Sequence, residues 1–456
     1  MAGIDAYAAY LPAYALTHNT LDGPPRSRGI ARSVAGFDED VITMAVEALR
    51  QLSDPSGDRL LLATTSAPYE AKTSAGVVHE ALGLDAGVAA LDLRGHRSGA
   101  TALDLVTRAG GYAALADLRT TRPGAPDELA QGDAAAAFTG GGERAAELLA
   151  RAGHTTELLE RWRLPGERHD RVWDERFTAD ILAAAGLDAA RRALTAAGLD
   201  AADHVVVSSS NARAAAALRR ALGGSGEDGK LEKATGFTGA AHPGLLLADA
   251  LDRAEPGQSI LLVSATEGAD AFVFRAGAGV REARSGPSVR AQLEAREELG
   301  YGRYLRWRGL LDVQGPARPA APAPAAPPMV RRAGWKYRLE GSQCGACGKV
   351  TTPPSRVCAA CGIAGDGTAK VSLRDRTATV VSVTRDHLTT MPEPDVAIVV
   401  VDFDGGGRLS AYATPGTGAI AVGTAMEPTF RRMWTTDGIH NYFWKLRPAK
   451  DSTDGE

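Results

Sequence analysis

The sequence predicts a large layered α/β domain followed by a small, metal-stapled β module. Three observations carry this expectation. Strand and helix signals alternate through residues 1–312, a Pro/Ala spacer follows them, and two Cys-x-x-Cys pairs precede β-rich stretches. With 456 residues against ~100–200 for a usual domain, two or three domains are expected.

Within the first region, Asp38 or Glu39 starts a helix whose apolar positions Val41, Met44, Ala45, Ala48 and Leu49 recur near a 3.6 period. Leu60 to Ala63 reads as a short buried strand and Pro68 as a turn. Thr73 to Leu82 reads as a helix, Val88 to Leu93 as a strand and Thr101 to Val106 as helix again. The pattern restarts near the midpoint. A strand at Val205 to Ser208 leads into a helix from Arg213, and Ile260 to Ser264 and Ala271 to Phe274 are later strands. Alanine suits helices and close-packed strands alike, so the Ala-rich runs carry little signal. Thr155 to Phe177, rich in charge and Trp, reads either as a surface insertion that contacts a partner or as a packed crossover.

The stretch GPARPAAPAPAAPP, Gly315 to Pro328, favours extended structure and supplies few core side chains. It sets the expected boundaries: a domain over 1–312, a linker over 313–330, a zinc ribbon with helical lead-in over 331–366 and a barrel over 367–450. The barrel strands are expected at Thr377 to Val383, Val396 to Phe403, Leu409 to Thr414 and Met426 to Arg431, with Gly405 to Gly407 at a hairpin.

Lys and Arg number 51 against 55 Asp and Glu, a formal charge of −4, so no broad nucleic-acid-binding face is expected. No run approaches the ~20 apolar residues that a membrane helix needs. The first residues lack the basic start of a secretory signal. All four cysteines lie between Cys344 and Cys361, which points to one local metal site in a reducing compartment, hence the cytoplasm.

Cys344, Cys347, Cys358 and Cys361 are two pairs separated by ten residues. Each pair puts two thiolates on one turn, and four sulfurs suit tetrahedral Zn²⁺. A fully ligated ion leaves no opening for substrate, so this zinc is expected to be structural.

With those residues in view, WKYRLEGSQCGACGKVTTPPSRVCAACG (335–362) and MEPTFRRMWTTDGIHNYFWKLRP (426–448) resemble the zinc-ribbon/OB-fold family that accompanies thiolase-like proteins and is implicated in acyl-CoA handling. In the first region GIDAYAAYLP (3–12), LLATTSAPYEAK (61–72), LDLRGHRSGATAL (91–103), WRLPG (162–166) and GFTGAA (236–241) are similar to the hydroxymethylglutaryl-CoA synthase branch of the thiolase superfamily. The resemblance implies a duplicated five-layer αβαβα core that dimerises, and carbon–carbon bond chemistry on acyl-CoA through an acyl-cysteine.

The residues for that chemistry are replaced. Thr65 occupies the place of the general acid/base Glu, and Arg97 that of the nucleophilic Cys. The catalytic His belongs near Val207 or Ser208, and the oxyanion-supporting Asn near Thr235. Arg97 is permanently cationic and cannot attack a thioester. It reads either as a contact to CoA or another oxyanion, or as a salt bridge that closes the pocket. Ser98 with His96 as its base, and His242 as a replacement acid/base, are the candidate catalytic residues. Against them stand turn capping, packing and a hydrogen-bonded structural histidine. Ser208, with Ser209 and Ser210, reads as a donor to ligand or as a turn before a helix starting at Asn211.

The leading functional expectation is an accessory, acyl-CoA-binding pseudoenzyme subunit within a hetero-oligomer, beside a thiolase-like catalytic partner. A cysteine-independent aldolase or acyltransferase, using Tyr69, His96 and His242, is the first alternative. Nucleic-acid binding by the barrel is the second, through Trp434, Tyr442, Phe443 and Trp444 with Arg431, Arg432, Lys445 and Arg447 nearby.

Overall fold

The computed structural model describes residues 2–17, 31–52, 57–314, 323–364, 368–387, 389, 391–393, 396–415 and 418–449. Contacts divide the chain into two units: Met1–Gly36, Asp40–Val78 and Asp85–Leu311 form the first, and Phe37–Glu39, His79–Leu84 and Asp312–Glu456 the second.

The first unit is built on nine strands: β1 (Gly3–Tyr10), β2 (Arg59–Thr64), β3 (Ala89–Arg94), β4 (Gly111–Asp117), β5 (Ala134–Gly140), β6 (Ala146–His154), β7 (His204–Ser209), β8 (Ser259–Ala265) and β9 (Ala269–Ala276). Their hydrogen-bonded order is β7-β8-β9-β6-β1-β5-β4-β2-β3. The two halves repeat one design. β2 is parallel to β3 and β4, then β4 to β5 and β5 to β1 run antiparallel. Likewise β7 is parallel to β8, then β8 to β9 and β9 to β6 run antiparallel.

Alternation along the strands feeds two cores. Val206, Ile260, Leu262, Phe272 and Phe274 face the central one with α3 (Ser98–Ala109) and α7 (His242–Arg253). Val205, Val207, Leu261, Val263 and Val273 face the opposite way, onto α4 (Glu175–Ala197) and α5 (Ala212–Ala221). With α1 (Val41–Leu49) packed on β4 and β5, and with α2 (Ala75–Leu82) and α6 (Glu227–Thr235) completing the helices in chain order up to α7, the layers run α, β, α, β, α, the expected duplicated thiolase-like class. The start of α3 abuts the turn before α7 closely. A Cβ on Gly99 would lie 2.1 Å from the Ala240 carbonyl oxygen, so only glycine fits there.

Several boundaries differ from expectation for local reasons. The first helix starts one or two residues later, because Asp40 accepts from the Ile42 and Thr43 backbone N–H groups in a capping box. The Ala-rich β4 is a wholly buried strand, and β5 is buried up to its last residue. The 23-residue α4 is the largest element that local sequence signals did not reveal. Most of the Pro/Ala spacer, residues 315–322, lies outside the described residues. The end of the spacer runs into a helix, Ala326–Arg331, and is not extended there, since proline is tolerated in a first helical turn.

In the second unit, Ala333–Arg338 is a helix, and Glu340–Cys344, Val350–Thr351 and Thr368–Ser372 form a three-stranded sheet. After it come β10 (Ala378–Asp386), β11 (Val396–Phe403), β12 (Arg408–Tyr412), β13 (Ala425–Thr436) and β14 (Ile439–Pro448). They form an antiparallel sheet ordered β12-β11-β10-β13-β14, which an Ala413–Leu446 bridge closes on itself. Among the described residues no helix is long and apolar enough to cross a membrane.

Candidate functional site

Thr65, Arg97, Ser208 and Thr235, the positions expected from the sequence to stand in for the acyl-transfer set, lie at or beside the ends of strands and helices of the first unit. Thr65 follows β2, and its hydroxyl donates to Asp117 Oδ2 at 2.6 Å while accepting from Arg119 Nη1 at 2.6 Å. Asp117 ends β4 and also accepts from the Ala240 N–H at 2.9 Å. Since Ala240 is the residue against which Gly99 packs, the chain of contacts runs from Thr65 to the start of α3. These contacts occupy the Thr65 hydroxyl with the protein's own polar groups.

Arg97 stands immediately before α3, where its backbone N–H bonds the Glu267 carboxylate. Its Nε reaches Asp270 Oδ2 at 2.7 Å and its Nη2 reaches Oδ1 at 3.1 Å, while Nη1 donates to Thr155 at 3.0 Å. Asp270 is buried on β9 and also holds Arg151 at 3.0 Å. The bidentate pair corresponds to the salt-bridge alternative for Arg97. Beside it, burial pushes the Glu267 carboxyl above its usual range, and the Glu157 and Glu160 charges add to this.

Ser98 is buried and its Oγ has no hydrogen-bond partner among the described residues; the same holds for His96 Nδ1. No hydrogen bond therefore joins them as nucleophile and base. The His96 imidazole is pushed down to about 3 by burial and then by the charge of Arg119. Arg161 and Arg163 act in the same direction. His242 opens α7 fully buried, with Nδ1 accepting from the Thr238 N–H at 3.3 Å and Nε2 without a partner. Its ring lies 4.9 Å from that of Phe237, and burial pushes it down to about 3 as well. Both histidines are neutral at physiological pH.

At the end of β7 the Ser208 hydroxyl is buried without a partner, whereas Ser209 and Ser210 donate to the Ala265 carbonyl and Glu160, each at 2.6 Å. Asn211 caps α5 by accepting from the Arg213 and Ala214 N–H groups. Thr235 donates within its own turn, to Leu231 and Gly236 carbonyls. Tyr69 lies in the loop beyond β2, its carbonyl accepting from Arg94.

A cleft of about 600 Å³ opens beside Thr65, lined by Ser66, Arg94, Arg163, Leu164 and Arg168. Sequence reasoning missed its charged wall, as it missed Asp117, Arg119 and Asp270. An acid at the end of a buried apolar strand (GYAALAD) or inside one (ADAFVF) was the available signal.

In the second unit all four cysteine sulfurs lie within 4.8 Å of one another, with Cys344–Cys361 at 3.7 Å and Cys347–Cys358 at 3.6 Å. Sulfurs ~2.3 Å from a tetrahedral zinc sit ~3.8 Å apart, so the set fits the ion. The two loops share one hydrogen-bond plan. Gly348 and Gly362 donate to the Cys344 and Cys358 carbonyls at 2.9 Å, each with a φ of 72°. Backbone N–H groups of Cys361 and Ala360 aimed at the Cys358 sulfur bring that thiol down to about 6. In the barrel, Tyr442 and Trp444 are buried against Phe430, and Trp444 Nε1 donates to the Tyr337 carbonyl. Of the aromatics named for the nucleic-acid alternative, these two are thus packed inside, whereas Trp434 is 36% exposed and Phe443 half-buried.

The comparisons agree with this architecture. Residues 333–365 match the family model described as ChsH2, rubredoxin-like zinc ribbon domain. A hydroxymethylglutaryl-CoA synthase of Archaeoglobus fulgidus is 30% identical over 342 residues, covering 68% of this chain and 98% of that protein. The chain belongs to the hydroxymethylglutaryl-CoA synthase family. A second member, from Methanothermobacter thermautotrophicus, is 30% identical over 347 residues, covering 68% and 99%. In fold the family assignment is matched by an HMG-CoA synthase crystal structure complexed with CoA (TM-score 0.56, 19% identity, covering 67% of this chain and 90% of that one). A 3-oxoacyl-(acyl carrier protein) synthase III from Pseudomonas aeruginosa shares the fold too, with TM-score 0.51, 21% identity and coverage of 60% and 98%.

Proposed function

We propose that this member of the family is an accessory subunit that binds acyl-CoA within a thiolase-like assembly making or breaking carbon–carbon bonds, and that it forms no acyl-enzyme itself. The observation that carries this reading is Arg97. At the place of the nucleophile stands a guanidinium held by Asp270 through two nitrogens, and a cation so held neither attacks a carbonyl nor loses a proton. The neighbouring Ser98 has no base bonded to it.

CoA as ligand is supported by the solved HMG-CoA synthase complexed with CoA. A thiolase-like partner and a dimer-type assembly are supported by β3. It ends the nine-stranded sheet with Leu91 48% exposed, and such an open, partly apolar edge is suited to pairing. The zinc is structural, being held by four thiolates. The closed five-stranded sheet is of OB type, joined through the 313–330 linker, and four reduced thiols suit the cytoplasm.

The test is co-purification from the native cell, with bound CoA species identified by mass spectrometry, alongside acyl-transfer assays of the isolated chain. Bound acyl-CoA, a thiolase-like companion and no turnover alone are expected. An acyl group trapped on a side chain of residues 1–312, in protein free of companions, overturns the reading.

A further inference from the structure

The ends of β7 and β8 carry negative charge that the protein does not neutralise. The Glu267 carboxylate accepts from the Arg97 backbone N–H, and the charges of Glu157 and Glu160 both act on it. None of these three acids has an ion-pair partner among the described residues. The guanidinium groups at hand are committed to other acids. Arg97 is held by Asp270 through two nitrogens. Arg161, next in the chain to Glu160, is shared between Asp127 at 3.5 Å and Asp170 at 3.9 Å.

Glu160 is the member that needs an explanation, because it is only 5% exposed. Its Oε2 accepts from the Ser210 hydroxyl at 2.6 Å, and its Oε1 is buried with no partner among the described residues. A buried carboxylate without a counter-charge is costly. A second buried atom is orphaned next to it. Thr266 is 3% exposed and its Oγ1 likewise has no partner. Ser209 lies opposite Ala265 in the parallel β7–β8 pair, so Ser210 and Thr266 leave the sheet side by side. Thr266 thus neighbours the serine that holds Glu160, and it directly precedes Glu267.

Carboxylate and hydroxyl oxygens together suit a hard cation. Among the described residues only the four cysteines bring three or more metal-binding side chains within 4.8 Å of one another. The acids here therefore lack the several close carboxylates typical of an all-protein calcium site. One buried negative charge calls for one positive charge.

We propose that Glu160, with Ser210 and Thr266, forms a binding site for a monovalent cation of the potassium class at the ends of β7 and β8. The test is thermal unfolding of the full-length protein in potassium, sodium, magnesium and tetramethylammonium chlorides at equal ionic strength. Potassium is expected to raise Tm by ~2–4 °C over tetramethylammonium, saturating as a single site does. Glu160→Gln is expected to abolish the rise, and Thr266→Val to shrink it. Should Glu160→Gln misfold, a crystal of the unaltered protein soaked in thallium(I) decides the matter, with an anomalous peak expected between Glu160 and Thr266.

The same Tm in every salt overturns the inference, since Glu160 is then a protonated carboxyl. A rise that survives Glu160→Gln, or thallium found only elsewhere, overturns it as well. A larger rise in magnesium than in potassium overturns the monovalent assignment. None of these outcomes bears on the acyl-CoA reading, which rests on Arg97.

Discussion

Arg97 and Asp270 form a two-pronged ion pair, 2.7 and 3.1 Å, across the place where this family's acyl-cysteine is expected. The pair is one link in a longer series. Asp270 also holds Arg151, Arg151 reaches Asp104 at 3.4 Å, and Asp104 lies seven residues beyond Arg97 on α3. The helix is thus tied at two turns to β6 and β9 by charge. Arg97→Met leaves buried Asp270 with Arg151 alone, so the expected cost is ~1–3 kcal/mol of unfolding free energy. Urea denaturation measures it, and the companion Asp270→Asn is expected to cost at least as much because it strands two guanidinium groups.

Acid sensitivity should arise earlier than carboxylate titration allows. The His242 and His96 imidazoles are held near 3 in the folded chain, against 6.5 when free. Between those values the unfolded chain binds protons that the folded one refuses, so stability falls as pH drops below about 6.5, by up to ~1.4 kcal/mol per unit for each histidine. Denaturation midpoints from about pH 7 to about pH 5 are expected to show this slope. His242→Gln, which keeps an acceptor for the Thr238 N–H, should remove about half of it.

Much of this is readable in the sequence where one signal has one meaning. The strand from Val396 to Phe403 falls where its alternating residues place it, and the cysteine spacing leads directly to four clustered sulfurs. The Ala-rich β4, β5 and α4 are ambiguous, because small side chains suit a helix and a close-packed strand equally. The positions read as standing in for acyl-transfer residues can be picked out one by one. Their present partners are not: Arg97 and Asp270 are 173 residues apart, and only the repeated sheet brings them together.

The zinc ligands make a separable claim about stability. The sheet of Glu340–Cys344, Val350–Thr351 and Thr368–Ser372 is small, and metal binding contributes on the order of 10 kcal/mol to modules of this kind. About one zinc per chain is expected by elemental analysis. Chelation or Cys358→Ser should abolish it and speed amide exchange in these strands. Exchange in β1–β9 should stay as it was.

The segment from the end of β6 through the first turn of α4 carries the most exposed aromatic side chains described. Trp173 is 70% and Phe177 66% exposed, with Leu159, Leu164 and Val172 also open to solvent. Trp162 meets Trp173 edge-on, with ring centroids 6.5 Å apart. Scattered apolar residues on a surface need no explanation, but five on one short segment are typical of a contact surface. Substituting Trp173→Ser and Phe177→Ser together is expected to change unfolding free energy by no more than ~0.5 kcal/mol, since neither ring is packed in a core. Retention of the proposed thiolase-like companion in co-purification is expected to fall at least tenfold. If the companion is retained unchanged, this face is not where it docks and the open edge of β3 is left as the contact surface.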